Sequence, residues 1–397
     1  MPVLNRAADL KDEATVWRRE LHQNPQTKYE EEFASALVAQ KLTEWGIPYK
    51  KGIARTGIVA TITGQKNDSG KGIGLRADMD ALDILEKSGQ PHASKTPGKM
   101  HACGHDGHTA TLLATAKYLN ETKNFNGQVH LVFQPAEEGG NGADKMIEEG
   151  LFRDYKIDYM FGVHNWPGQP IGKIGMRAGP IMASVDEFNI TVKGVGGHAA
   201  MPHQTIDPIV VTSQIVNALQ SVVARNVDPI DTVVLSVTNF HAGSGAFNII
   251  PDEARLIGTV RTFSNETRDK VIARMKAIIH GVASAMGAQA EQEFIFHNYA
   301  TINSADGVEL AAKAAAVVVG EGNVDLDTPP SMGGEDFSAY LRQKPGAFIF
   351  IGQGVNDSDS PHNKGLHHPG YDFNDDIIPI GVSYFATLVE QALPLSK

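Results

Sequence analysis

In the segment MHACGHDGHTA, residues 100–110, one cysteine, three histidines and an aspartate stand among glycines, and Cys103 is the only cysteine in the chain. A lone cysteine cannot close a disulfide within its own chain. It is then a small buried side chain, a nucleophilic thiolate or a metal ligand. Side chains of matching chemistry follow the apolar runs that read as strands. Asp78 follows GIGL, Glu137 and Glu138 follow VHLVFQPA, His164 follows YMFGV, and His367 and His368 lie beyond AFIFIGQG. Each has an ordinary explanation when taken alone: a hydrogen-bonded loop histidine, a solvated glutamate pair, an Arg-x-Asp ion pair. Taken together, five loops each carry a donor that a transition metal accepts. Thiolate, imidazole and carboxylate suit Zn²⁺, and the nitrogen and oxygen donors also suit Mn²⁺, Ni²⁺ or Co²⁺.

The spacing adds detail. Cys103 and His105 are one glycine apart, so in an extended stretch both side chains point to the same side. Gly104 and Gly107 permit tight turns there. Asp78 and Asp106 are candidates to orient a ligating imidazole from behind. Glu137 and Glu138, if extended, face opposite ways, so one can bind the metal while the other faces a water as general base. A thiol hydrolase built on Cys103 with a neighbouring histidine and acid is the rival reading. It leaves Glu137, Glu138, His164 and His367 without a task.

Alternating elements must carry these loops. Up to about residue 180, strand patterns (TGIVATITG, KGIGLRADMD, GQVHLVFQP, IDYMFGVHNW) alternate with helical ones such as TATLLATAKYLNE. That rhythm indicates an α/β domain with a mostly parallel central sheet flanked by helices. In open sheets of this kind ligands bind beyond the carboxyl ends of the strands, where the donor-bearing loops would meet. From 185 to 296 the order changes to strand, helix, strand, strand, helix, strand, an α+β ferredoxin-like pattern of about 110 residues. The α/β style returns with PGAFIFIGQG and DIIPIGVSYFATLVEQAL. The expected architecture is a discontinuous domain, residues 1–184 and 297–397, carrying an insertion at 185–296.

Composition excludes several functions. With 397 residues the chain exceeds the ~250–300 at which single cores stop growing. Lys and Arg number 35 against 46 Asp and Glu, a net charge of −11, which argues against tracking nucleic acid or an anionic membrane. No apolar run reaches the ~18 residues that span a bilayer. The start of the chain lacks an apolar leader, and with a single cysteine this points to the cytoplasm.

These blocks, with LHQNP, GVHNWPG, GGHAAMPH, FNIIPDEARLIGTVRTF, MGGEDFSAYL and HHPGYDFNDD, resemble the M20 metallopeptidase clan. They are most similar to its amidohydrolase branch: hippurate hydrolases, N-acyl-amino-acid amidohydrolases and indole-acetyl-amino-acid hydrolases. The likeness runs in order along nearly the whole chain. It implies a catalytic α/β domain and a ferredoxin-like lid that also dimerises, giving a homodimer or homotetramer. Position by position, the resemblance puts the metal ligands at Cys103, His105, Glu138, His164 and His367, with one or two divalent ions per subunit and Cys103 bridging where two bind. It makes Glu137 the general base and His198 the oxyanion-side histidine. Asn248, Arg261 and the backbone at Gly333 and Gly334 fall near the substrate's carboxylate. His367 is preferred to His368 because the family's histidine follows an apolar residue, here Leu366. Many clan members have His-x-Asp where this chain has Arg76-Ala77-Asp78; arginine cannot ligate, and Cys103 with His105 replaces that ligand in the amidohydrolase branch. The expected activity is metal-dependent hydrolysis of a small N-acyl amino acid. A dipeptidase or carboxypeptidase is the alternative within the clan, and a non-catalytic metal-binding protein the alternative outside it.

Overall fold

Four apolar runs lie side by side and parallel at the centre of the largest sheet: Gln128–Gln134, Gly72–Asp78, Tyr159–Pro170 and Gly346–Gly354. Two of them, Gly72–Asp78 and Gly346–Gly354, are buried at every residue. Parallel strands covered on both faces lose the in–out alternation of a half-exposed sheet, which is why these segments read as continuous hydrophobic runs. Outside them the sheet turns antiparallel. Gly57–Thr63 pairs with Gln128–Gln134, Tyr49–Ile53 forms a hairpin with Gly57–Thr63, and the short Ile174–Gly175 lies against Gly346–Gly354. The structure, a computed structural model, describes residues 2–395, with side chains from residue 4 onward.

The chain divides into two units. One comprises Met1–Ile181, Ile302–Pro329 and Asp336–Lys397, the other Met182–Thr301 and Pro330–Glu335. In the first, the sheet and the helices Lys11–Gln23, Glu32–Glu44, His105–Thr122, Ala305–Val319 and Ile378–Ala392 enclose one continuous apolar core. Small residues let two of these elements close up. A Cβ on Gly346 would sit 1.8 Å from the Met160 carbonyl oxygen, and one on Gly307 would sit 2.4 Å from that of Gly346.

The second unit is a four-stranded antiparallel sheet ordered Gln289–Asn298, Ser184–Lys193, Glu253–Thr262, Val233–Ala242. Strand Ser184–Lys193 alternates buried and half-buried side chains, placing Phe188, Ile190 and Val192 against the helices Pro208–Asn226 and Asn265–Ala285. Asp207 and Ser264 cap those helices by accepting the N–H of Ile209 and Thr267.

Two expectations about local geometry need correction. The helix written as TATLLATAKYLNE begins earlier, at His105, because Gly104 takes a left-handed conformation (φ 97°) and its carbonyl accepts the His108 N–H. The strand read as IDYMFGVHNW does not end at Trp166. It continues to Pro170, held by pairing with Gly346–Gly354, so His164 projects from mid-strand.

Because the atoms facing Gly346 are backbone and cannot rotate away, Gly346→Ala should destabilise the protein by about 3 kcal/mol in chemical denaturation. Gly322→Ala, where an added Cβ meets nothing within 4 Å, should leave the midpoint unchanged.

Candidate metal centre

The donor-bearing segments converge in the first unit. Potential ligand atoms of Cys103, His105 and His164 lie within 4.8 Å of one another, as do those of Cys103, Glu138 and His367, and those of His105, Glu137 and Glu138. The two groups that share Cys103 together contain all five sequence-derived metal candidates, and Glu137 stands directly beside them.

Each donor is aimed by its local structure. His164 donates its Nδ1–H to the Asn165 carbonyl at 2.8 Å, which leaves Nε2 as the lone-pair nitrogen, 3.4 Å from Cys103 Sγ. Burial, reinforced by neighbouring His108, holds the His164 pKa well below the usual histidine range, so the ring is in its neutral, ligating form. His367 occupies the left-handed region (φ 64°) while its N–H bonds the Ala102 carbonyl at 2.8 Å. Its Nε2 reaches Glu138 Oε1 at 3.1 Å. Adjacent His368 instead accepts the Gly370 N–H on Nδ1, within its own loop.

His105 lies against carboxylates on both sides, with Nε2 3.5 Å from Asp78 and Nδ1 3.3 Å from Asp80. Neither approach has hydrogen-bonding geometry, and both buried ring nitrogens, like Glu138 Oε1, lack a hydrogen-bond partner. Burial opposes charging this ring, yet Asp78, Asp80 and Glu138 outweigh it and raise its pKa to about 10. Burial likewise pushes Glu138 up, but His367 and His105 prevail and keep it below the ordinary carboxylate range. A cluster that stabilises a positive charge and leaves buried donor atoms unsatisfied fits a divalent cation, and thiolate, imidazole and carboxylate match transition-metal preferences.

Residues behind the donors were only partly foreseen. Asp78 accepts from Arg76 at 2.7 Å and from His108 Nδ1 at 2.6 Å besides facing His105, so it does stand behind an imidazole of the cluster. Asp106 does not. Its Oδ2 bonds His22 Nδ1 at 2.7 Å and lies 3.8 Å from Arg18, so the imidazole it orients lies outside the donor set. On the first turn of a helix, the residue after His105 necessarily points to another face. The extended geometry imagined for 103–105 and for 137–138 is also replaced by turns: Gly104 is left-handed, and Glu138 has φ −70° and ψ 71°. His108, three residues along the helix from His105, stacks with it at 5.5 Å and also meets Asn165 Oδ1 at 2.8 Å. Helical i, i+3 spacing signalled that pair, once the helix start was placed correctly. Asp80 was missed, although it stands two positions after Asp78.

His198, Asn248, Arg261, Gly333 and Gly334 all belong to the second unit. Exposed His198 accepts the Ala200 N–H on Nδ1 at 3.1 Å and lies opposite Ile249 in a two-residue bridge. The Asn248 carbonyl accepts the Ala199 N–H, Arg261 Nε donates to Thr259, and the Gly333 carbonyl accepts the Ala183 N–H. Gly334 lies close to Val185 and Asn298.

Comparison with known proteins agrees with this chemistry. The model for "Peptidase family M20/M25/M40" matches residues 74–391. Hippurate hydrolase of Campylobacter jejuni is 40% identical over 388 residues, covering 98% of this chain and 98% of that protein. N-acetylcysteine deacetylase of Bacillus subtilis is 40% identical over 387 residues, covering 96% and 97%. The crystal structure of the Bacillus subtilis YXEP protein, titled a dinuclear metal binding peptidase from the M20 family, superposes with a TM-score of 0.82 at 35% identity, covering 97% of this chain and 99% of that one.

The buried His22–Asp106 pair yields a pH prediction. Burial disfavours the charged ring, but Asp106 and Glu86 raise the His22 pKa from 6.5 to about 9. Stability from a raised pKa is fully present below about 6.5 and is lost as pH climbs through about 9. His22→Gln should therefore cost more at pH 6 than at pH 9.5, the difference approaching about 3 kcal/mol in urea titrations.

Proposed function

This chain belongs to peptidase family M20/M25/M40, and from its donor cluster we propose a metal-dependent amidohydrolase that splits N-acyl amino acids into a carboxylic acid and a free amino acid. The observation that carries the proposal is the meeting of a buried thiol and the buried imidazoles of His105 and His164 with half-buried Glu138 and exposed His367, and with a second carboxylate, Glu137, at its edge. The activities named for the hippurate and N-acetylcysteine enzymes support the substrate class.

In this reading Cys103, His105, Glu138, His164 and His367 would hold one or two divalent ions, Zn, Mn, Ni or Co. When bound, the metal polarises the scissile carbonyl and makes a nearby water acidic. Glu137 takes the proton of the attacking water on its carboxylate and later returns it to the leaving nitrogen. His198 donates to the developing oxyanion, while Asn248, Arg261 and the backbone at Gly333 and Gly334 receive the amino acid's carboxylate. Asp78 keeps His105 and His108 oriented from behind. The second unit, whose strand order and two helices follow the ferredoxin-like plan, serves as lid and dimerisation domain in a homodimer or homotetramer. The cytoplasm is the proposed compartment; no helix among the described residues is long and apolar enough to cross a membrane.

The purified, metal-replete protein should release glycine from hippurate or cysteine from N-acetylcysteine, and a chelator should abolish the release. Cleavage of dipeptides with no turnover of N-acyl amino acids would overturn the substrate assignment in favour of a peptidase. Glu137→Gln should lower kcat by ~10²–10⁴-fold with metal content intact. Metal loss in that variant, with retention in Glu138→Gln, would reverse the two glutamates.

Cys103→Ala discriminates ligand from nucleophile. As a ligand its removal should lower metal content, measured by elemental analysis, in step with activity. Lost activity with full metal content would identify a thiol hydrolase instead.

A further inference from the structure

The turn carrying Glu137 and Glu138 is a single broken helical turn, Glu137–Gly140, with non-helical dihedrals at Glu138 and Gly139. Ala136 is left-handed at φ 55°, and after Glu138 the chain turns again at Gly139, φ 74°. Consecutive N–H groups in such a turn need acceptors, because an unpaired amide out of water is costly. Two buried carboxylates supply them. Glu31 Oε1 accepts the Ala136 N–H at 2.9 Å, Asp80 Oδ1 accepts the Glu137 N–H at 3.0 Å, and Asp80 Oδ2 accepts the Glu138 N–H at 2.8 Å. Asp80 is 1% exposed, and the oxygen that holds Glu137 also lies 3.3 Å from His105 Nδ1. One carboxylate thus meets the backbone of the base candidate, the backbone of one ligand candidate and the ring of another.

We propose, on the basis of the function assigned above, that Asp80 is a positioning residue for the hydrolytic step. It sets Glu137 for proton transfer relative to the donor cluster by fixing the backbone of both glutamates to a single rigid group that stands beside His105. The placement of a base is steep in its effect, since a misplacement of about 1 Å costs about 10²-fold in rate. Asparagine is the informative replacement. It keeps the size of Asp80, but its single oxygen serves only one of the two N–H groups, and its NH₂ faces the other, donor against donor.

The test compares Asp80→Asn with wild type on hippurate, or on whichever N-acyl amino acid the wild type turns over best, in saturating metal. The expected result is a kcat lower by about 10²-fold, KM changed less than about threefold, and metal content equal to wild type. In a Glu137→Gln background, followed by single turnover with excess enzyme, Asp80→Asn should cost less than about threefold more, because the group it positions is already disabled. If Asp80→Asn does not fold, Asp80→Ser, which keeps one acceptor in a smaller side chain, is read against the same expectations. Equal losses in both backgrounds, full recovery with added metal, or a loss confined to KM would each overturn the proposal. An active wild type with an undiminished Asp80→Asn enzyme would overturn only this role. A wild type inactive on every N-acyl amino acid would overturn the functional reading and this role with it.

Discussion

A guanidinium taken out of water ties the site together. Arg76, 1% exposed, donates to Asp78 at 2.7 Å, to Gln134 at 2.8 Å and to Asp336 at 3.1 Å. Removing a charge from water costs several kcal/mol unless opposite charge and hydrogen bonds surround it, and here two carboxylates and an amide do so. The bonds then branch. Asp78 continues to His108 and faces His105, while Asp336 accepts from Gln134 and the Ala143 N–H and gives its own N–H to Glu137 Oε1 at 3.4 Å. Two neighbouring strands, the first turn of a helix, and the segments starting at 136 and 336 are therefore registered by one side chain. The residue that cannot ligate a metal still anchors the cluster.

Such a centre conflicts with the hydrophobic economy of its surroundings. Two central strands of the sheet beneath it are buried throughout, and each polar group at their ends needs a specific partner. Most have one. Among the buried side-chain atoms left without one, both nitrogens of His105 and Glu138 Oε1 are on ligand candidates, where a cation would relieve them. Beside the site, Arg18 donates to Asp372 and lies 3.8 Å from Asp106, which pairs with His22.

Much of this could be read from residue types. The continuous runs announced buried parallel strands, and the donors at their ends announced the cluster, because strand direction dictates where loops gather. Local backbone geometry was harder. An extended reading of CGH and of PAEE assumed that side-chain direction follows from spacing alone, whereas left-handed Gly104 and Ala136 redirect both segments. Asp106 misled for the same reason: being adjacent in sequence to a donor says little on a helix. Asp80 and Glu31 were invisible because they act on main-chain N–H groups, and a bond to the backbone leaves no mark in the identity of its partner.

That last property has a consequence for how the protein can change. Every residue except proline offers the same N–H. A loop gripped by its peptide groups therefore keeps its shape whichever side chains it displays. The positions at 137 and 138 form an exchangeable socket on a fixed frame. Substitution there changes the chemistry displayed and gives up the side-chain contacts with Asp336 and His367, while Asp80 and Glu31 keep their hold on the main chain.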